Sequence, residues 1–483
     1  MDPESGAAEA PQLMATLTAS LKEETRAAAP EPRLVPSPID QGNPLGIGSP
    51  SREEWAKLRR RMVAHLSAGL ETDLKLGPTA ANLEQLSRRF SDVCVQAGIP
   101  SSAENRDRLQ QEVIDEILGY GPIEPLLRDD SISEIMVNAP DQVYVERDGK
   151  LLAAEVQFDD DEHIMFVIDR IIRPLGRRVD RSNPMVDARL PDGSRLNAII
   201  PPGAIDGPTM TIRKFNKKKL KMADLIAFES LTADMAKFLE ACVVARMNIV
   251  VAGGTGSGKT TLLNILSSYI PARERVVTVE DSAELQLQQP HVVRLEAQPP
   301  DLDGSGEVTI RGLVRNALRM RPDRIVVGEV RGGETIDMLQ AMNTGHDGSM
   351  TTVHANTPRD SIARLETMTL MAGFELPVTV IRRQIAAAID LIVQQARVRD
   401  GSRKTVNITE IQGMEGDVVI LEDVFVFEEG VLGPDGKDTG KLRPTGIRPR
   451  CDGRLKRAGY HFPPKMFMGD TSLGDWPGRG RGR

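Results

Sequence analysis

Cysteine is scarce in this sequence: three residues in 483, Cys94, Cys242 and Cys451, far apart and in no metal-ligand spacing. So sparse and odd a set excludes a disulfide framework and a four-cysteine zinc motif, and it points to a reducing compartment. Long apolar runs are missing too. None approaches the roughly 18 residues that a membrane span needs, and no basic segment followed by an apolar core marks a signal peptide. Nor is there an excess of positive charge, since Lys and Arg number 61 against 69 Asp and Glu, a formal net charge of −8. That balance argues against a chain built as a whole to coat nucleic acid or anionic lipid. Aromatics reach only 4%, few for the stacking platforms of a single-strand binder. The expectation is a cytoplasmic protein whose membrane role runs through a partner.

What is present supports real cores: 40% of the residues are hydrophobic, and 483 residues suit two or three domains. Residues 1–50 are rich in Ala, Pro, Ser and Glu, with Pro30, Pro32, Pro36 and Pro38 interrupting any helix, and read as a disordered arm. Over 51–119 the apolar spacing turns helical (Leu58, Met62, Leu66, then Leu109, Val113, Ile117), which predicts a small bundle, either a docking module or a spacer. Residues 120–216 change to short strand signals such as Ile135-Met136-Val137 and Val143-Tyr144-Val145, with one helix from Glu162 to Ile172, and predict an α+β domain. Lys217, Lys218, Lys219 and Lys221 mark a solvated linker over 217–229. Residues 230–430 alternate helices with very apolar short strands, the pattern of a mostly parallel α/β sheet. The remainder, 431–483, is Gly-, Pro- and Arg-rich and reads as a disordered solubilising tail ending at Trp476–Arg483.

Chemistry enters at a buried-strand signal, Asn248 to Ala252, that runs into Gly253-Gly254-Thr255-Gly256-Ser257-Gly258-Lys259-Thr260-Thr261 and then a helix. This is the G-x-x-x-x-G-K-[ST] phosphate loop in its strand–loop–helix setting. Glycines let the backbone wrap until successive N–H groups face phosphate oxygens, and the helix N-terminus adds its dipole. Lys259 supplies charge near the β- and γ-phosphates of ATP, and Thr260 a hydroxyl for Mg²⁺.

Three further apolar strands end in functional groups: Val276–Val279 at Glu280-Asp281, Ile325–Gly328 at Glu329, and Met350–Val353 at His354. Ligands of open parallel sheets sit outside the carboxyl ends of the strands, so these groups converge on one edge. Glu329 suits a carboxylate that holds Mg²⁺, partly through water, opposite Thr260. Glu280 is the candidate for polarising the attacking water, with Asp281 in support. His346 and His354 fall within one short stretch and read as γ-phosphate sensors, as structural hydrogen-bonding groups, or as ligands of a zinc site that lacks companions. Arg311, Arg315 and Arg319, at i, i+4 spacing, read as a solvated or inter-subunit face.

Together these residues resemble the ATPases that power type II secretion, type IV secretion and type IV pili. The acidic box Thr278–Leu285, the segment Gly328-Glu329-Val330-Arg331 and the histidine box carry that resemblance. Leu118–Leu127, Ile135–Asn138, Pro191–Asn197 and Thr211–Phe215 narrow it to the CpaF-type motors of tight-adherence (Flp) pili. The resemblance implies an α/β fold, with a RecA-like phosphate-loop NTPase domain preceded by an α+β, PAS-like domain and the helical bundle. It implies a homo-hexamer at the cytoplasmic face of the inner membrane, working on a polytopic platform protein and indirectly on pilin, with ATP and Mg²⁺ and without nucleic acid. It further implies that nucleotide lies between the two domains and that Arg189, Arg195 and Arg213 reach the γ-phosphate. A type IV secretion ATPase exporting protein or DNA, a nucleotide-gated assembly scaffold and a RecA-like helicase are the competing readings.

Overall fold

The computed structural model describes residues 52–67, 79–96, 103–147, 149–215, 220–300, 305–434 and 436–468. The chain divides between Lys217 and Lys218 into two units. The arm over 1–50, Lys217–Lys219 of the linker, and the chain beyond 468 lie outside the described residues.

In the first unit, α1 (Arg52–Ser67), α2 (Ala80–Gln96) and α3 (Ala103–Leu118) pack around Met62, Leu66, Leu86, Phe90, Leu109 and Val113. These apolar residues recur three to four apart, which places each set on one helical face. After the short α4 (Glu124–Arg128) come β1 (Ile132–Ala139), β2 (Gln142–Arg147), β3 (Lys150–Ala153), α5 (Asp161–Ile172), β4 (Met185–Arg189), β5 (Arg195–Ile199) and β6 (Thr209–Arg213). The strands form an antiparallel sheet in the order β3-β2-β1-β6-β5-β4. α5 starts where Asp160 accepts a hydrogen bond from His163 N, and it buries Ile164, Val167, Ile168, Ile171 and Ile172. Charged groups hold the bundle to this layer: Arg59 meets Asp159 at 2.5 Å, and Arg170 Nη1 donates to Glu116 O at 2.6 Å.

The second unit opens with α6 (Met222–Ala227) and α7 (Ala233–Val244). It continues through β7 (Ile249–Gly253), α8 (Lys259–Ser267), β8 (Val276–Glu280), β9 (Val292–Glu296), α9 (Ile310–Ala317), β10 (Arg324–Val327), α10 (Glu334–Asn343), β11 (Met350–His354), α11 (Pro358–Leu370) and α12 (Val378–Ala388). It ends with β12 (Leu391–Arg397), β13 (Arg403–Glu415), β14 (Val418–Glu428), β15 (Lys441–Pro444) and α13 (Asp452–Arg457). One sheet runs β15-β14-β13-β12-β7-β11-β10-β8-β9. Pairing is parallel from β12 to β9 and antiparallel from β12 to β15. β7 is buried along its whole length, with Ile249 and Val251 in one apolar cluster and Val250 and Ala252 in another. Both faces of the sheet are therefore covered, which is why its strands read as continuous apolar runs.

Two parts of the chain are more ordered than their composition suggests. Residues 222–227 of the expected linker form α6, with Met222 buried. Much of the expected tail folds back on the second unit. Phe467 is 1% exposed and packs on Phe238 and Phe425 at ring distances of 5.9 and 6.1 Å. Arg454 donates to the carbonyls of Ala245 and Arg246 at the end of α7 and pairs with Asp390 at 3.1 Å. Glycines and prolines dominate the composition there, but a few aromatic rings suffice to cover an apolar face. Among the described residues no helix is long and apolar enough to cross a membrane.

Candidate active site

β7 delivers the phosphate loop and α8 receives it. Gly253 must be glycine, since a Cβ there would lie 2.5 Å from Gln395 O and from Ser257 Oγ. Gly256 and Gly258 have φ of 69° and 93°, the left-handed region that glycine enters without strain. Lys259, the first residue of α8, is buried, and its Nζ donates to Gly254 O at 2.9 Å. Burial holds its pKa below the ordinary value, while the Glu329 carboxylate opposes that shift. Thr260 is half-buried in the first helical turn, and Thr255 and Thr261 are exposed.

The neighbouring strands bring their ends to this loop. Gly253 and His354 are register partners on β7 and β11. Lys259 Nζ stands 3.3 Å from His354 Nε2, and that nitrogen is 3.0 Å from Glu329 Oε1, just past β10. Arg331 Nη2 donates to the other oxygen of Glu329 at 2.9 Å, and its Nη1 reaches Asp281 at 3.4 Å. Lysine, imidazole, carboxylate, guanidinium and a second carboxylate thus form one line along the carboxyl edge of the sheet. Burial, with Lys259 beside it, pushes the His354 pKa down.

Glu280 ends β8 in a tighter setting, 3% exposed. One carboxylate oxygen accepts from the backbone N–H groups of Glu284 and Leu285, at 2.7 and 2.9 Å, and the other is buried with no hydrogen-bond partner. Burial raises its pKa to about 7 against those two donors. A Cβ on Gly328 would lie 2.9 Å from Glu280 Cγ, so that glycine makes room for the carboxylate.

The structure parts the two histidines. His354 joins the site, but His346 lies in the turn before β11, at the amino edge of the sheet, where its carbonyl accepts from Ser349 Oγ at 2.7 Å. Asn248, at the start of β7, pins the same turn through the N–H groups of Gly348 and Ser349. Eight residues in sequence become the length of a strand in space, at roughly 3.3 Å per residue. Arg189, Arg195 and Arg213 belong to the first unit. There they are register partners across β4, β5 and β6, and Arg213 Nε donates to Glu134 on β1 at 2.7 Å. Arg311 pairs with Asp337 at 2.8 Å and covers the Phe374 ring, so it is not simply a solvated charge.

Two arginines at the site carried no sequence signal strong enough to assign them. Arg331 stood inside a motif without a role. Arg403, on β13, donates from Nε to Gly256 O at 2.8 Å, a contact made possible because the antiparallel extension returns beside β12, the strand next to β7.

A family profile described as type II/IV secretion system protein matches residues 116–422. A protein of Mycobacterium tuberculosis named for conjugal transfer is 40% identical over 309 residues, 63% of this chain and 87% of that one. Conjugal transfer protein TrbB of Rhizobium radiobacter is 34% identical over 308 residues, 63% of this chain and 91% of its own length. Among solved structures, the VirB11 ATPase of the Brucella suis type IV secretion system, crystallised with sulphate, is 32% identical with a TM-score of 0.34, covering 60% of this chain and 92% of that one.

Proposed function

The chain belongs to the type II/IV secretion system protein family, and from that premise we propose that it is the ATP-hydrolysing motor of a type IV secretion machine, moving protein or DNA across a cell envelope. The relatives' names favour that reading over assembly of a tight-adherence pilus, to which the motifs first pointed. The observation that carries the enzymatic part is the line from Lys259 through His354 and Glu329 to Arg331, with buried Glu280 on the adjoining strand. A nucleotide-gated scaffold needs no carboxylate poised near neutrality; a hydrolase does.

The N–H groups of residues 254–261 and the Lys259 ammonium bind and orient the triphosphate. Hard oxygen donors are what Mg²⁺ requires, and the Thr260 hydroxyl and the Glu329 carboxylate, the latter partly through water, are the residues that would hold it. When bound, that ion would neutralise phosphate charge. Glu280 takes a proton from the attacking water through its unpartnered oxygen, and His354 reads the state of the phosphate next to Lys259. The working form is a homo-hexamer, peripheral to the membrane through a polytopic partner.

A Glu280→Gln variant tests the assignment. It should bind a fluorescent ATP analogue as the wild type does while phosphate release falls by about 10²–10⁴-fold. Undiminished release would remove Glu280 from the mechanism.

A further inference from the structure

Arg403 opens β13, and its side chain lies along the phosphate loop. Besides the 2.8 Å bond to Gly256 O, its Cδ is the one atom that a Cβ on Gly258 would meet, at 3.5 Å. The bond has a directional consequence. A trans peptide holds its C=O and N–H on opposite sides of one plane, so a donor fixed on Gly256 O sets the direction of the Ser257 N–H. Gly256, at φ 69°, is a residue whose backbone swings freely unless something holds it.

The strand that presents Arg403 is itself tied down. Lys404 Nζ donates to Glu229 O at 2.9 Å, and Thr405 N to Ser230 O at 2.8 Å. Across the hairpin, Gln395 Nε2 donates to Thr405 Oγ1 at 2.5 Å, and Gln395 pairs in register with Gly253. Arg397 is the register partner of Arg403, yet it turns away and donates to Gly401 O at 3.2 Å. Two arginines therefore face each other at the mouth of one hairpin, and Arg403 is the one that touches the loop.

Resting on the nucleotide-site reading above, we propose that Arg403 is a positioning residue for nucleotide binding: it fixes the Gly256–Ser257 peptide so that the loop's N–H groups are set for phosphate before ATP arrives. It contacts no reacting atom. Its loss returns freedom to the loop, and binding must then order the loop again. That cost falls on ground and transition states alike, so it enters KM and leaves kcat alone.

The test compares the full chain with Arg403→Ala, Arg403→Lys and Arg397→Ala, by steady-state ATP hydrolysis and by direct binding of a fluorescent ATP analogue. Arg403→Ala should raise KM and Kd about tenfold, the scale of one charge-assisted hydrogen bond, with kcat within about twofold. Arg403→Lys, which retains a charged donor, should recover most of the affinity, and Arg397→Ala should match the wild type. A wild-type KM in Arg403→Ala overturns the proposal, as does a loss confined to kcat, a lysine variant no better than alanine, or the same KM change in Arg397→Ala. A wild-type chain that neither binds nor hydrolyses ATP sinks the reading of the site itself, and this proposal with it. A competent wild type with an indistinguishable Arg403→Ala sinks this proposal alone.

Discussion

Glu280 is the residue on which the proposed chemistry turns. Its carboxyl is buried, and its pKa is raised from 4.5 to about 7. As a base it must be ionised, so hydrolysis should climb with pH through about 7 with unit slope on the acid side, and Glu280→Gln should erase that limb along with most of the rate. The stability contribution runs the other way. A raised folded-state pKa favours the fold below 4.5, and that advantage is lost as pH rises through about 7. That the phosphate loop, Glu280, Glu329 and His354 share one sheet edge was legible in the sequence, because each follows a short apolar strand and parallel strands end on the same edge. His346 was not distinguishable from His354, since spacing alone does not tell which edge of a sheet a residue meets. Arg331 and Arg403 owe their places to partners that no local pattern names.

Elements of the second unit are fastened at the edge opposite the site by a buried ion pair. Arg324 on β10 is fully buried, donates to Glu274 at 2.5 Å and to Val243 O at 2.7 Å, and lies where a Cβ on Gly348 would collide with it. Removing one partner strands the other, so Glu274→Gln or Arg324→Met should destabilise the second unit by about 3–5 kcal/mol in chemical denaturation. A double Glu274→Leu, Arg324→Met variant should lose less than either single change. Four parallel strands, β7, β8, β10 and β11, were plain in the sequence because burial on both faces makes them mostly apolar, whereas β9 carries Arg294 and Glu296 and β12 carries Gln394 and Gln395, which break that pattern. The described part of the tail, up to residue 468, is ordered where its many glycines and prolines suggested disorder, because Phe462 and Phe467, which anchor it on Phe238, are single residues. Phe467→Ala should cost about 3–5 kcal/mol; a stability unchanged from wild type would restore the tail reading.

At the scale of the whole molecule, the net charge of −8 disfavours non-specific binding of nucleic acid by the chain as a whole. Fluorescence anisotropy with duplex DNA at low salt should show no tight, steeply salt-dependent binding; such binding would revive the helicase reading. The central claim is that the carboxyl edge of the large sheet hydrolyses ATP, and phosphate release by the full chain against its Lys259→Ala variant tests it most directly. The account predicts Mg²⁺-dependent turnover in the wild type and a fall of at least about 100-fold in the variant. Equal rates in the two proteins would contradict it.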